Sequence, residues 1–262
     1  MLEFRLLGPV EMSSAGVDYP VEGAIQKGLL VSLLVSADRT VSADELRTEL
    51  WGACWAGSSE NALHAHVSRL RRQLKRAEPA VPLPRLQAVR SGYRLMVEDE
   101  QVDAARFVAT VEELRRSAAQ MPPAQLVERL RGQLAVWRGP AFGGLVGGPI
   151  CEGGARAYEE ARQEAQALLF DAELRCGHHP RILAELRAEV EEYSPYLERF
   201  TERLMVALYR CGRQVEALQA YQRTVRCLAS HAQSPSIRLR KVHQAVLNHA
   251  PALDGLLATA AV

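Results

Sequence analysis

The first hundred residues mix two hydrophobic periods, one typical of strands and one typical of helices. Short extended runs near the N-terminus predict three strands, at residues 4–7, 10–12 and 17–21. Apolar positions three and four apart then predict a helix over residues 24–37. The capping-box sequence Ser42-Ala43-Asp44-Glu45 opens a second, shorter helix that ends at Trp51-Gly52. These elements together indicate a small α+β unit.

A third helix, over roughly residues 59–76, is predicted to be strongly amphipathic. Its narrow apolar stripe is formed by Leu63, Val67, Leu70 and Leu74. Another side carries Asn61, His64, Ser68, Arg71, Arg72 and Lys75, with Arg69 on its flank. Two strands follow, and their turn Arg90-Ser91-Gly92 places an arginine at the tip of a β-hairpin. This order predicts a winged helix-turn-helix, whose third helix enters the major groove of DNA.

From residue 102 onward the hydrophobic period is helical. Seven helices are predicted, at 103–120, 124–137, 155–176, 180–193, 195–211, 214–231 and 235–248. The sequence Leu174-Arg175-Cys176-Gly177 recurs 35 residues later as Tyr209-Arg210-Cys211-Gly212, which favours paired tetratricopeptide-like helices over an ordinary helical bundle. The glycine-rich stretch 143–148 is predicted to be a flexible linker. The fold class is therefore an α+β winged helix over residues 1–98 followed by an all-α helical domain over 99–262.

Charge sharpens this picture because it is unevenly distributed. The whole chain has a net charge of +1, yet residues 69–98 carry 8 Lys/Arg against 2 Asp/Glu. Residues 1–68 carry 4 Lys/Arg against 9 Asp/Glu. A basic block in a near-neutral protein indicates a surface for a polyanion, with nucleic acid as the first candidate and a solvated helix face as the alternative.

Other features exclude several classes of protein. No apolar run of about 18 residues predicts a membrane span, and the N-terminus lacks the pattern of a signal peptide, so a cytoplasmic protein, nucleoid-associated when bound to DNA, is expected. The five scattered cysteines indicate reduced thiols rather than a disulfide or zinc framework. His178-His179 has no evident third ligand, and no nucleophile–base pattern stands out. We therefore expect no enzymatic activity, no cofactor and no metal.

Several motifs occur in the order found in the Streptomyces antibiotic regulatory protein (SARP) family of transcriptional activators, which the chain resembles over nearly its whole length. They are the segments 1–11, 41–46, 50–52, 67–72, 92–95, 102–107, 137–140, 204–213 and 216–221. The resemblance, which is to the small members, implies an OmpR-type winged helix followed by a bacterial transcriptional activation domain. It also implies an activator of an antibiotic or other secondary-metabolite biosynthetic cluster.

The same resemblance implies partners. SARP members bind direct repeats in double-stranded promoter DNA, two protomers side by side, and recruit RNA polymerase with its sigma factor. The predicted DNA-binding residues are Asn61, His64, Ser68, Arg69, Arg71, Arg72, Lys75, Arg90 and Arg94. Trp55, in the loop that would face the polymerase, is a candidate polymerase contact, with folding back onto its own domain as the alternative.

Roles can be assigned to the individual side chains on the predicted third helix. Asn61 and His64 lie near its start and are expected to meet base edges, whereas Arg72 and Lys75 are expected to supply charge to the DNA backbone. Arg69 and Arg71 take the places of arginines that touch DNA in OmpR-type proteins, and at least one is expected to clamp a phosphate. Arg90 is expected to enter a minor groove.

The sequence departs from the family pattern in two places. The turn places Arg90 one residue closer to Gly92 than is usual, and residues 228–233 replace the usual Glu-Leu-Gly segment. Two other functions stay open. One is a helical-repeat adaptor whose winged domain binds protein, and the other is a regulator that senses a small molecule in its helical domain. The basic block favours the DNA-binding activator over the adaptor.

Overall fold

The computed structural model describes residues 1–37, 39–53, 59–79, 85–191 and 197–249. Within these ranges the chain forms six strands and ten α-helices, and it divides into two compact units. The first unit is formed by Met1–Thr110 with Ala135–Arg162, and the second by Val111–Leu134 with Gln163–Val262. In the described part of the chain no helix is long and apolar enough to cross a membrane.

The first unit opens with a three-stranded antiparallel sheet, as the extended runs predicted. Its strands, in sheet order, are β1 (Leu2–Arg5), β2 (Glu11–Ser14) and β3 (Val17–Asp18). Phe4 lies opposite Met12 in the register, and both side chains are buried. In β1 the buried Leu2 and Phe4 alternate with the less buried Glu3 and Arg5, so this strand directs an apolar face into the core of the unit.

Three helices follow and confirm the predicted helix-turn-helix. They are α1 (Ala24–Val35), α2 (Ala43–Trp51) and α3 (Ser59–Ala77). The capping box is present at the start of α2, where the Ser42 hydroxyl accepts from the Glu45 amide at 3.1 Å and the Glu45 carboxylate accepts from the Ser42 amide at 2.8 Å. Two orphan backbone donors are thereby satisfied, so α2 begins at a fixed residue.

A second sheet forms the wing. Its strands, in sheet order, are β4 (Val41–Ser42), β6 (Gly92–Leu95) and β5 (Leu86–Val89). Val89 lies opposite Gly92, which leaves Arg90 and Ser91 as a two-residue turn. The strand β4, which the sequence did not predict, passes so close to β6 that a Cβ on Gly92 would lie 2.0 Å from the Val41 carbonyl oxygen. Glycine is therefore required where the wing meets this third strand.

The helices that follow the wing are α4 (Asp103–Ser117), α5 (Pro123–Leu134) and α6 (Pro149–Arg175). The prediction that residues 143–148 form a flexible linker is wrong. The helix α6 begins at Pro149, six residues before its predicted start at Ala155, and Gly148 is packed against Glu49 of α2. The glycines serve close packing here, which a sequence pattern rich in glycine does not distinguish from flexibility.

The second unit continues with α7 (His179–Glu189), α8 (Leu197–Arg210), α9 (Gln214–Ser230) and α10 (Ile237–Leu247). Tyr209 and Tyr221 pack against its hydrophobic core. The repeat of residues 174–177 at 209–212 corresponds to the same type of turn at the end of two helices. Gly177 (φ 79°) and Gly212 (φ 73°) both follow a helix in the left-handed conformation, and in each case the next amide donates to the carbonyl five residues earlier.

The same turn occurs a third time, at the end of α9, but without glycine. Ala232 has φ 56°, and the Gln233 amide donates to the Leu228 carbonyl at 2.9 Å. An alanine is strained in this conformation because its Cβ approaches the backbone, whereas glycine is not. We expect Ala232→Gly to raise the free energy of unfolding by about 0.5–1 kcal/mol. Urea denaturation of both proteins measures this difference, and an unchanged or lower midpoint in the variant would contradict it.

Candidate nucleic-acid interface

The helix α3 is fixed by its apolar stripe, as the sequence predicted. Its buried side chains are Leu63, Val67, Leu70 and Leu74, each at most 4% exposed. A polar contact between α1 and α3 adds to this packing. Gln26 of α1 is 1% exposed, and its Oε1 lies 3.0 Å from His66 Nδ1. The Gln26 Nε2 donates to the His66 carbonyl oxygen at 3.3 Å. Burial, and secondarily the Arg69 charge, lowers the pKa of His66. This pair was not predicted from the sequence. The feature that could have indicated it is a glutamine, Gln26, within the apolar stripe of α1.

The opposite face of α3 is exposed and carries most of the predicted DNA-binding residues. The exposed side chains are those of Asn61, His64, Ser68, Arg69, Arg72, Lys75 and Arg76. At about 100° per residue these positions fall within one sector of the helix, and Arg72 lies near its middle. Arg72 makes no hydrogen bond or ion pair with any residue in the described ranges. The structure therefore brings the predicted residues together on one accessible surface, which we call the α3 face.

Arg71 and Lys75 are partly engaged within the protein. Arg71 is half-buried at the edge of the α3 face, where its Nε donates to the Leu86 carbonyl oxygen of β5 at 2.9 Å. The Lys75 ammonium donates to the Pro79 carbonyl oxygen at 2.8 Å. The Arg71 contact ties α3 to the wing, and it uses one of the five N–H donors of the guanidinium.

The wing holds its two predicted residues differently. Arg90 is exposed at the two-residue turn, and the neighbouring Ser91 carbonyl accepts from the Ala43 amide of α2 at 3.1 Å. This bond fixes the turn against the start of α2. Arg94 is half-buried in β6, and its buried Nε has no hydrogen-bond partner among the described residues. Trp55, the predicted polymerase contact, lies outside the residues that the structure describes.

One arginine of the basic block serves a structural purpose that sequence analysis did not foresee. Arg85 forms a bidentate ion pair with Glu78, and its Nη1 donates to the Met96 carbonyl at 3.1 Å and to Gln101 Oε1 at 3.0 Å. The Arg85 hydrogen bond holds the pKa of Glu78 below its usual range. The charge count of the block therefore overstates the charge available to a ligand. In the described ranges no three His, Cys, Asp or Glu side chains cluster as a metal site.

Comparisons with known proteins bear on this surface. Residues 24–95 match the family described as "Transcriptional regulatory protein, C terminal", and residues 102–247 match "Bacterial transcriptional activator domain". The regulator RedD of Streptomyces coelicolor is 36% identical over 256 residues, which cover 96% of this chain and 72% of RedD. The chain belongs to the SARP family of transcriptional regulators. This confirms the predicted fold of a winged helix-turn-helix followed by a helical domain.

Other relatives of this SARP are also regulators. The regulatory protein AfsR of Streptomyces coelicolor is 34% identical over 99% of the chain, which spans 26% of AfsR. The regulator EmbR of Mycobacterium tuberculosis is 33% identical over 95% of the chain, which spans 64% of EmbR. A solved structure of EmbR in complex with a low-affinity phosphopeptide superimposes with a TM-score of 0.87 at 33% identity, covering 99% of this chain and 69% of the EmbR chain. The SARP family is one of transcriptional regulators and not of enzymes.

Proposed function

We propose that this SARP activates transcription of a secondary-metabolite biosynthetic cluster by binding direct repeats in promoter DNA and recruiting RNA polymerase holoenzyme. Residues 1–98 would supply DNA recognition, and residues 99–262 would serve activation. The observation that carries this proposal is the α3 face, on which Arg69, Arg72 and Lys75 are exposed together. A helix of this kind fits the major groove, and clustered cations release counterions from the phosphate backbone.

The residues of the α3 face fall into two groups, one suited to contact base edges and the other suited to contact phosphates. Asn61 and His64 lie in the first turns of the helix, the end that contacts base edges in helix-turn-helix proteins. Asparagine offers paired donors and acceptors that suit adenine. Arg69 and Arg72 lie further along the exposed face and would neutralise phosphates, while Arg90 on its tight turn would reach an adjacent minor groove. The two protomers would lie side by side on a direct repeat.

Titrating the full chain against a promoter-derived duplex and an unrelated duplex at several salt concentrations tests DNA recognition. We expect the promoter duplex to bind at least about 1,000-fold more tightly, with affinity for both falling steeply as salt rises. Equal and salt-independent affinity for the two duplexes would contradict the proposal. Binding of a protein partner in place of DNA would then favour an adaptor function.

Arg71→Ala is expected to weaken binding of both duplexes by a similar factor, equivalent to the loss of one charged hydrogen bond, about 1.5–3 kcal/mol. The reason is that Arg71, held beside the wing by its bond to Leu86, presents its remaining donors as a phosphate clamp. The slope of log affinity against log salt should become shallower by about 1. A gel-shift titration at low and high salt measures both quantities. Loss confined to the promoter duplex would assign Arg71 to a base instead, and no change would remove it from the site.

Polymerase recruitment predicts that DNA binding and activation can be separated. We expect Trp55→Ala to leave the affinity for promoter DNA within about twofold, because Trp55 is not one of the residues that form the α3 face. The variant should nevertheless lower transcript yield from that promoter in a purified transcription reaction. Joint loss of affinity and transcript would contradict a dedicated polymerase contact at Trp55.

A further inference from the structure

A buried carboxylate joins the helix-turn-helix to the start of α6. Glu49 of α2 is 5% exposed, and its Oε1 accepts from the amides of Gly148 at 2.9 Å and Cys151 at 3.0 Å. Its Oε2 accepts from the Ile150 amide at 2.7 Å. The first amides of a helix have no acceptor within the helix, and the positive end of the helix dipole favours an anion. We call this arrangement the Glu49 contact.

Small residues let the elements around the Glu49 contact approach closely. A Cβ on Gly148 would lie 2.8 Å from the Glu49 Cα, and a Cβ on Gly154 would lie 2.7 Å from Val35 Cγ2 of α1. Cys151 is 1% exposed, with its Sγ 3.8 Å from the Ser32 hydroxyl of α1. Both α1 and α2 therefore pack directly on the first turns of α6, at positions that admit no larger side chain.

A second tie holds the same stretch of chain to the N-terminal sheet. The Arg138 amide donates to the Leu7 carbonyl at 2.8 Å, and its Nη1 donates to Glu11 Oε2 at 2.6 Å. Its Nη2 donates to the Pro9 carbonyl at 3.3 Å. These contacts explain why residues 135–162, which fall within the activation-domain match, form one compact unit with residues 1–110.

We propose that Glu49 is a positioning residue for DNA binding, and that the DNA-binding unit of this SARP consists of the winged helix together with residues 135–162. This inference rests on the proposed function of the α3 face. The helix α2 packs against α3, so an α2 that is held on α6 presents α3 in a fixed geometry. Without the Glu49 contact, α3 would have to be ordered on DNA at a cost in affinity. Because coupling is reciprocal, DNA must in turn stabilise the contact.

The test replaces Glu49 with glutamine in the full chain. Gln keeps the size of the side chain, but its NH₂ group cannot accept a hydrogen bond, so at least one α6 amide loses its partner. Two quantities are measured, the affinity for promoter DNA and the rate at which iodoacetamide alkylates Cys151, followed by peptide mass spectrometry. Burial, together with the Glu49 carboxylate, raises the pKa of Cys151 to about 12, and the side chain is only 1% exposed, so alkylation requires opening of the contact.

In the wild-type chain, saturating promoter DNA should slow alkylation of Cys151. In Glu49→Gln, alkylation of Cys151 should be about tenfold faster and affinity for promoter DNA about tenfold lower. The slope of log affinity against log salt concentration should be unchanged, because no phosphate contact is lost. Glu160→Gln is the matched control. It removes the same charge from an exposed side chain of α6 and should leave both quantities unchanged.

Two results would overturn the proposal. One is faster alkylation in Glu49→Gln with wild-type affinity for DNA, and the other is unchanged alkylation of Cys151. If Glu49→Gln fails to fold, as judged by circular dichroism, Glu49→Asp keeps the charge but shortens the side chain by one methylene, so it should weaken the bonds to the α6 amides and show changes of the same sign. No change in that variant also overturns the proposal. If the wild-type chain binds no promoter duplex, the proposed function fails, whereas the alkylation rates still test the Glu49 contact.

Discussion

Replacing Arg72 with glutamate is expected to weaken binding of promoter DNA by about 100-fold or more near 0.1 M salt. Arg72 lies near the middle of the α3 face and has no intramolecular partner among the described residues, so its charge is available to a ligand. Loss of one charged hydrogen bond costs about 1.5–3 kcal/mol, and a carboxylate directed at phosphates adds repulsion. Every 1.4 kcal/mol corresponds to a factor of ten in affinity.

Arg240→Glu is the matched control for Arg72→Glu. Arg240 is an exposed arginine on α10, so the substitution changes the net charge of the chain by the same amount. It should leave affinity within about threefold, because it leaves every residue of the α3 face unchanged. Thermal unfolding should show that both variants are folded. Equal losses of affinity in the two variants would mean that net charge, and not the α3 face, governs binding.

Arg203→Met is expected to lower the free energy of unfolding by about 3–5 kcal/mol. Arg203 is fully buried in α8, where its Nη2 donates to Asp171 Oδ2 at 2.5 Å. Its Nη1 and Nε donate to the carbonyls of Arg199 at 2.8 Å and Ala167 at 3.3 Å. Methionine fills much of the same volume, so the loss comes chiefly from Asp171 and two carbonyls that lose a buried partner.

The cost of Arg203→Met should also depend on pH. Burial raises the pKa of Asp171, and the Arg203 charge opposes that rise. Removing the Arg203 cation raises the pKa of Asp171 in the folded protein further above its value in the unfolded chain. The folded variant therefore keeps a proton on Asp171 that the unfolded chain releases. Stability of the variant relative to wild type therefore improves as pH falls from neutrality toward the unfolded pKa of about 4. Urea denaturation at several pH values measures this trend.

Arg181→Met provides the comparison for Arg203. Arg181 is exposed on α7, and its substitution should change stability by no more than about 0.5 kcal/mol at any of these pH values. If Arg203→Met were as stable as Arg181→Met, the buried ion pair would contribute nothing that a well-packed apolar side chain does not. A difference between Arg203→Met and wild type that grows as pH falls would contradict the assignment to Asp171.

Features encoded by near neighbours in the sequence were predictable. The capping box at Ser42 depends on two residues three positions apart, and the two faces of α3 depend on side chains three and four apart. The wing turn depends on a glycine that immediately follows it. In each case the physical constraint lies within one turn of helix or one hairpin. The sequence pattern therefore contains the whole interaction.

Features that depend on distant contacts were not predictable in this way. The role of Arg85 follows from Glu78 and Gln101, which come near it only when the wing packs. The Glu49 contact joins residues about 100 positions apart, so neither the buried glutamate nor the packed glycines could be distinguished from a solvated side chain and a flexible loop. Strand β4 has only two residues and is recognisable as a strand only because it pairs with β6.

Entry of the α3 face into the major groove of duplex DNA can be tested on the DNA itself. Dimethyl sulfate methylates the N7 atom of guanine, which faces that groove, so footprinting of a promoter duplex reports the contact directly. Wild-type protein should protect guanines in each repeat of the binding site, and Arg72→Glu at the same concentration should leave them reactive. Unprotected guanines on a duplex that the wild type demonstrably occupies, or identical protection by the variant, would contradict entry of the α3 face into the major groove.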